Sequence, residues 1–184
     1  MEAQDSKRKI VKETFPSELI SIIGDILAGI VLSLLILPFE SFPVLILIIP
    51  ALLSLRGNIS GPFIARTSRD IIIGEFNRRS LLENIFATYI LSLITAFLIG
   101  IFSLIFNFFL TRDFMIPILR FIEIPLISIL FTLTLSIPIS IALNLIVFKF
   151  GLNPNNIVNP IMTAVGDFLI VIGFYLSIII LGVP

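Results

Sequence analysis

The 184 residues are 58% hydrophobic and only 13% charged, with a mean hydropathy of +1.17. A soluble domain carries about 25% charged residues, and a chain this short cannot hide so much apolar surface in its own core, so the sequence is that of a membrane protein. Twelve Lys and Arg balance twelve Asp and Glu, which argues against nucleic acid, and the lack of Cys and His excludes disulfides, Cys/His zinc sites, haem ligation and His-based catalysis, leaving oxygen-bound hard cations as the metals to consider.

Residues 1–18 are polar and mixed in charge, with no A-x-A-like cleavage site after the apolar run that follows, so residues 1–16 read as a cytoplasmic tail rather than a signal peptide. A span takes about 20 apolar residues. The first runs from Leu19 to Pro38, broken only by Asp25, and Glu40 and Ser41 form a polar turn. The second starts near Phe42 and stays apolar only to Leu55, too short to cross at ~1.5 Å per residue. It then meets Arg56-Gly57-Asn58-Ile59-Ser60-Gly61-Pro62. Such a stretch is tolerated at membrane depth only against protein or water, so this span reads as long and locally irregular, 42–72, followed by a charged loop from Arg66 to Glu83. The third span is Asn84–Leu110, with Thr111-Arg112-Asp113 as connector. The fourth lies within 115–148; its start, with Arg120 and Glu123, reads as interfacial, and the span proper covers 124–148 with a kink near Pro138. The turn 151–156 leads to the fifth span, 157–182. The expected fold is all-α, a kinked bundle of five transmembrane helices over 17–184.

Lys and Arg set the orientation. With the N-terminus inside, ten basic residues (Lys7, Arg8, Lys9, Lys12, Arg56, Arg66, Arg69, Arg78, Arg79 and Lys149) are cytoplasmic and two, Arg112 and Arg120, external. Five spans then put the C-terminus outside.

Asp167 is an acid deep in the fifth span, where an ionised carboxylate costs a few kcal/mol. Asn159 and Thr163 precede it by eight and four residues, so the three share one helical face. An amide oxygen, a hydroxyl or carbonyl, and a carboxylate in a column suit an ion path; the alternative is a hydrogen-bonded structural Asp. Gly57-Asn58-Ile59-Ser60-Gly61 either lines the same path with freed carbonyls or is a kinked helix end. Asp25 is either a vestibule ligand or a partner for an arginine such as Arg56. Glu83 reads as a helix-start acid favoured by the macrodipole, and Glu40, Asp113 and Glu123 read as solvated interface charges.

Two segments resemble a known family. Pro50 to Phe76, PALLSLRGNISGPFIARTSRDIIIGEF, is similar to the Pro…Gly-Asn…Arg…Gly signature of MgtE-type magnesium transporters and their relatives in solute carrier family forty-one. Gly151 to Asp167, GLNPNNIVNPIMTAVGD, resembles the second signature, in which Asn-Pro precedes a small-residue run ending in Asp. The resemblance implies a membrane domain, not an enzyme, that dimerises around a central pore in the plasma membrane and carries Mg²⁺ as cargo, with no organic cofactor. It implies Asp167 as the principal ion site, with Asn159, Thr163, Gly57 and Asn58 as its companions. The partner is a second copy or a paralogous half. Two other readings stand beside it: a non-transporting membrane subunit, and a Na⁺- or H⁺-coupled cation carrier. The tail and the 66–83 loop hold no dense acid cluster, so only weak gating by internal Mg²⁺ is expected.

Overall fold

The computed structural model describes residues 6–35, 43, 45–112 and 116–183. Among them lie five helices and no strand: α1 (Lys7–Ser33), α2 (Leu45–Ile72), α3 (Arg78–Thr111), α4 (Ile118–Lys149) and α5 (Pro154–Leu181). All five are long and apolar enough to cross a membrane. The shortest has 27 residues, which at ~1.5 Å each gives about 40 Å against a hydrocarbon core of about 30 Å.

Several boundaries differ from expectation. Helix α1 begins at Lys7 rather than Leu19, because the Ser6 side chain accepts the Lys9 N–H and caps it. Its polar early turns are anchored against the start of α5. The Glu13 carboxylate accepts from Asn156 Nδ2 at 2.8 Å. Ser17 donates to the Asn156 carbonyl at 3.3 Å, a carbonyl that Pro160, lacking an N–H, cannot engage. Helix α2 shows no irregularity at 56–62; it runs unbroken through Gly57, Gly61 and Pro62. The charged loop expected over 66–83 shrinks to 73–77. Gly74, at φ 75°, ends the α2 segment in a backbone region that costs glycine nothing. Asn77 caps α3 by accepting the Ser80 N–H at 2.8 Å. Glu83 is therefore not at a helix start but one turn inside α3, paired with Arg79 at 3.0 Å on the solvent side. Helix α4 is one helix from Ile118, through Pro125 and Pro138, with Glu123 paired to Arg120 at 2.6 Å. The expected turn at Glu40 and Ser41, the ends Pro38 and Phe42, and Asp113 lie outside the described residues.

Helix α5 is the hub, packing against α1, α2 and α4, while α3 packs on α2 and α4. Helix α1 makes extensive contact with α5 alone. The seams are made of small residues, as helices in lipid require for close approach. On α1 the buried positions are Glu13, Ser17, Ser21 and Ala28, and Gly24 lies so close to α5 that an added Cβ would stand 2.6 Å from the Ala164 Cβ. On α4 a buried polar stripe recurs every fourth residue: Ser128, Thr132, Ser136, Ser140 and Asn144. Gly173 of α5 meets the Ser128 carbonyl there, at 2.8 Å from where its Cβ would be. Ser68 of α2 hydrogen-bonds Asn144, tying α2 to α4.

Candidate ion site on the fifth helix

Asp167 is the fourteenth of the 28 residues of α5, so it sits at the middle of the span. The i, i+4, i+8 spacing places Asn159, Thr163 and Asp167 on one side of the helix, and all three reach the surface of the chain: Asn159 is exposed, Thr163 and Asp167 partly so. The Thr163 hydroxyl donates to the Asn159 carbonyl at 2.9 Å. Its proton is thus spent on the helix, and its lone pairs remain for a cation or a cation's water. The column expected from the sequence is present in the fold.

Asp167 is not alone. Arg56 of α2 donates from Nη2 to Asp167 Oδ1 at 2.6 Å, and from Nη1 to the Met162 carbonyl at 3.3 Å. The arginine side chain is 6% exposed and the aspartate side chain 23% exposed. Gly166 makes this possible: a Cβ there would stand 2.8 Å from Arg56 Nη1 and collide with Cδ. Arg56 Nε has no partner among the described residues. The arginine borders a void of about 10 Å³ shared with Ser60, Ser136 and Ser140, and the Ser140 hydroxyl is likewise unpartnered. That volume is close to the space one water occupies. Asp167 Oδ2 accepts no hydrogen bond from any described residue.

Of the readings of Asp25, the pairing with Arg56 is not found. Arg56 turns to α5, and Asp25 is exposed on α1 without an ion pair among the described residues. It follows Gly24, which packs against Ala164 of α5. Arg56 also leaves the set counted as cytoplasmic in the expected topology, whose count becomes nine against two (ten less Arg56).

Gly57 and Asn58 are not brought to Asp167 of the same chain. Asn58 follows Arg56 by two residues, about 200° around the helix. It is exposed in a shallow groove between α2 and α3, beside Leu91 and Thr95, with its Nδ2 3.3 Å from Ser54 Oγ. Pro62 leaves the Asn58 carbonyl without its helical donor, so the freed oxygen anticipated in this stretch exists, on another face. Gly57 is exposed with nothing near its Cα substituent position. Among the described residues no three acidic, His or Cys side chains gather as a metal cage.

The Arg56–Asp167 pair is what reading the sequence missed. Its signal was available: a lone Arg inside an apolar run needs an intramembrane partner, and Gly166 beside Asp167 supplies the room for one.

The family model for MgtE, described as a divalent cation transporter, matches residues 49–178, a stretch that includes Arg56, Asn58, Asn159, Thr163 and Asp167. Searches of curated proteins and of solved structures found no match.

Proposed function

The chain belongs to the MgtE family of divalent cation transporters, and on that premise we propose that it carries Mg²⁺ across the plasma membrane, with Asp167 as the principal ion site. The observation that carries the reading is the mid-membrane column of Asn159, Thr163 and Asp167 on the open side of α5, with Asp167 Oδ2 unbonded among the described residues. Mg²⁺ gives up its water reluctantly and is held by one or two carboxylates plus waters. A path for it needs few direct ligands and many oxygens for its hydration shell. Asp167 supplies the charge, and Asn159 and Thr163 supply oxygens one and two turns away.

The column is open on one side, so a second subunit completes the path, most simply by two-fold symmetry. Gly57 and Asn58 enter through that second copy, since both are exposed on faces of α2 turned from their own Asp167. The N-terminus is cytoplasmic and the C-terminus external, from the excess of Lys and Arg in the segments at the N-terminal side.

One observation favours a second reading. The 2.6 Å contact of Asp167 with Arg56 is what an acid used only to fasten α5 to α2 would show. Mg²⁺ flux into proteoliposomes of the purified chain separates the two. With Asp167 as ion site, wild type carries Mg²⁺ and Asp167→Asn, inserted at equal amount, carries none. Wild-type flux in Asp167→Asn refutes the ion-site reading. A dimer by mass in lipid is expected, and a monomer with full flux removes the second subunit from the account.

A further inference from the structure

Building on the reading of Asp167 as the ion site, we infer that Arg56 is the site's resident counter-cation and keeps the site's field too shallow for monovalent ions to bind while divalent ions still do. Arg56 is built into place. Gly166 clears space for its side chain, the Met162 carbonyl holds Nη1, and the guanidinium is almost fully buried with Nη2 2.6 Å from Asp167 Oδ1. A guanidinium does not lose its proton in a protein. Asp167 and Arg56 together are therefore a neutral pair, and a neutral pair offers little to a passing cation.

The charge that restores attraction is Asp25. Gly24 is in contact with Ala164, one turn before Asp167. Residue 25 thus lies on the α1–α5 seam, exposed and without an ion pair among the described residues. Each chain then presents two carboxylates and one guanidinium, a net charge of −1 (−2 + 1). Two copies around an axis present −2, which one divalent ion neutralises.

This balance discriminates by valence. The attraction of an ion to a fixed field scales with the ion's own charge. A monovalent ion competes with a guanidinium of equal charge that is tethered and already desolvated. A divalent ion gains twice as much from the same field. Hydrated Mg²⁺ does not have to displace Arg56, because it approaches on the Oδ2 side, which holds no protein hydrogen bond among the described residues. Without Arg56 the field deepens: monovalent ions bind, and divalent ions bind more tightly.

The test compares wild type, Arg56→Gln, Arg56→Lys and Asp25→Asn in proteoliposomes, reading Mg²⁺ and Na⁺ flux on preparations of matched folded mass. In wild type, Na⁺ at ~0.15 M leaves Mg²⁺ flux unchanged after correction for ionic strength. Arg56→Gln lowers the half-saturating Mg²⁺ concentration by about tenfold or more and admits Na⁺, whereas Arg56→Lys keeps Na⁺ out. Asp25→Asn, a change at an exposed position that leaves the fold intact, raises half-saturating Mg²⁺ by about tenfold. A tighter half-saturation is a gain that structural damage does not produce. Na⁺ competing with Mg²⁺ in wild type, an unchanged half-saturation in Asp25→Asn, or a folded Arg56→Gln that still excludes Na⁺ each overturns the inference. If Arg56→Gln does not fold, the Asp25→Asn and wild-type Na⁺ arms decide. Mg²⁺ flux in wild type that is absent in the folded Arg56→Gln, Asp167→Asn double variant upholds the underlying reading whatever these arms show, so the two can fail separately.

Discussion

The two sides of α5 are both polar, and they use polarity differently. On the side facing α4, the hydroxyls are turned back onto the helices. Ser128 donates to the Ile124 carbonyl at 2.6 Å, Thr132 to Ser128 at 2.8 Å, and Ser177 of α5 to Phe174 at 2.7 Å. Gly173 brings the backbones together, and Phe174 and Ile170 are sealed at 1% exposure. On the other side, Asn159 and Thr163 are open to the surface, Asp167 keeps an oxygen free of described donors, and its charge is met by Arg56. The α4 side shows polar atoms serving helix association at low cost, because the protons of Ser128, Thr132 and Ser177 have local acceptors. On the open side the polar atoms of Asn159, Thr163 and Asp167 stay at the surface of the chain.

Substitutions can break that contrast, and the largest effects belong to the open side. Asp167→Asn removes the ion-site charge and is expected to lower Mg²⁺ flux by at least about 100-fold, a loss typical of removing a central electrostatic group. It also leaves Arg56 without a counter-charge. Breaking a buried pair costs about 3–5 kcal/mol, and the partial exposure of Asp167 places this case at or below the low end. Thermal unfolding in detergent should show a clear drop in midpoint. Gly166→Val is next. Its side chain occupies the space of the Arg56 guanidinium, and overpacking costs roughly 1–3 kcal/mol. Stability and flux should fall together, measured by unfolding midpoint and by flux.

Smaller effects sharpen the contrast. Asn159→Ala takes an amide from the hydration shell of the ion while touching no packed contact. A several-fold rise in half-saturating Mg²⁺ with an unchanged unfolding midpoint is expected; a midpoint shift without a flux change would make Asn159 part of the packing instead. Thr132→Ala lies on the α4 side. Interhelical and local hydrogen bonds in membranes average about 0.6 kcal/mol, so its midpoint should move by only a degree or two, of the order that so small a change produces, and Mg²⁺ flux should stay at the wild-type level. Loss of flux there would erase the distinction between the two sides.

The sequence made some of this architecture legible and concealed the rest for physical reasons. Four apolar runs of spanning length, and a shorter one read onward through the polar stretch after Leu55, correspond to the five helices, and steps of four put Asn159, Thr163 and Asp167 on one face of α5. Helix ends were harder, because Lys7, Lys9 and Lys12 at the start of α1, and Arg78 and Arg79 at the start of α3, continue the helices into polar surroundings where hydropathy ends. The helix breakers of α2 misled in the opposite direction: Gly57, Gly61 and Pro62 suggest irregularity, yet α2, packed against its neighbours, stays helical through them. Arg56 was hidden by the habit of assigning arginines to the cytoplasmic side. Its depth in α2, twelfth of 28 residues against the fourteenth of 28 for Asp167 in α5, matches the two across the bundle. Once Arg56 faces α5, helical geometry turns Asn58 away from it, so the two signature segments meet within one chain through Arg56 and Asp167 and not through Gly57 and Asn58.

The most direct test removes the ion pair as a pair. Arg56→Gln with Asp167→Asn eliminates both buried charges together and leaves an amide–amide contact, so the penalty for an unpaired charge disappears and the fold should regain stability relative to Asp167→Asn alone. Mg²⁺ flux is then measured in proteoliposomes containing the folded double variant. If Asp167 is the ion site, the double variant is stable and carries no Mg²⁺. If the acid serves only to join α5 to α2, restoring the fold restores transport, and flux near the wild-type rate contradicts the account.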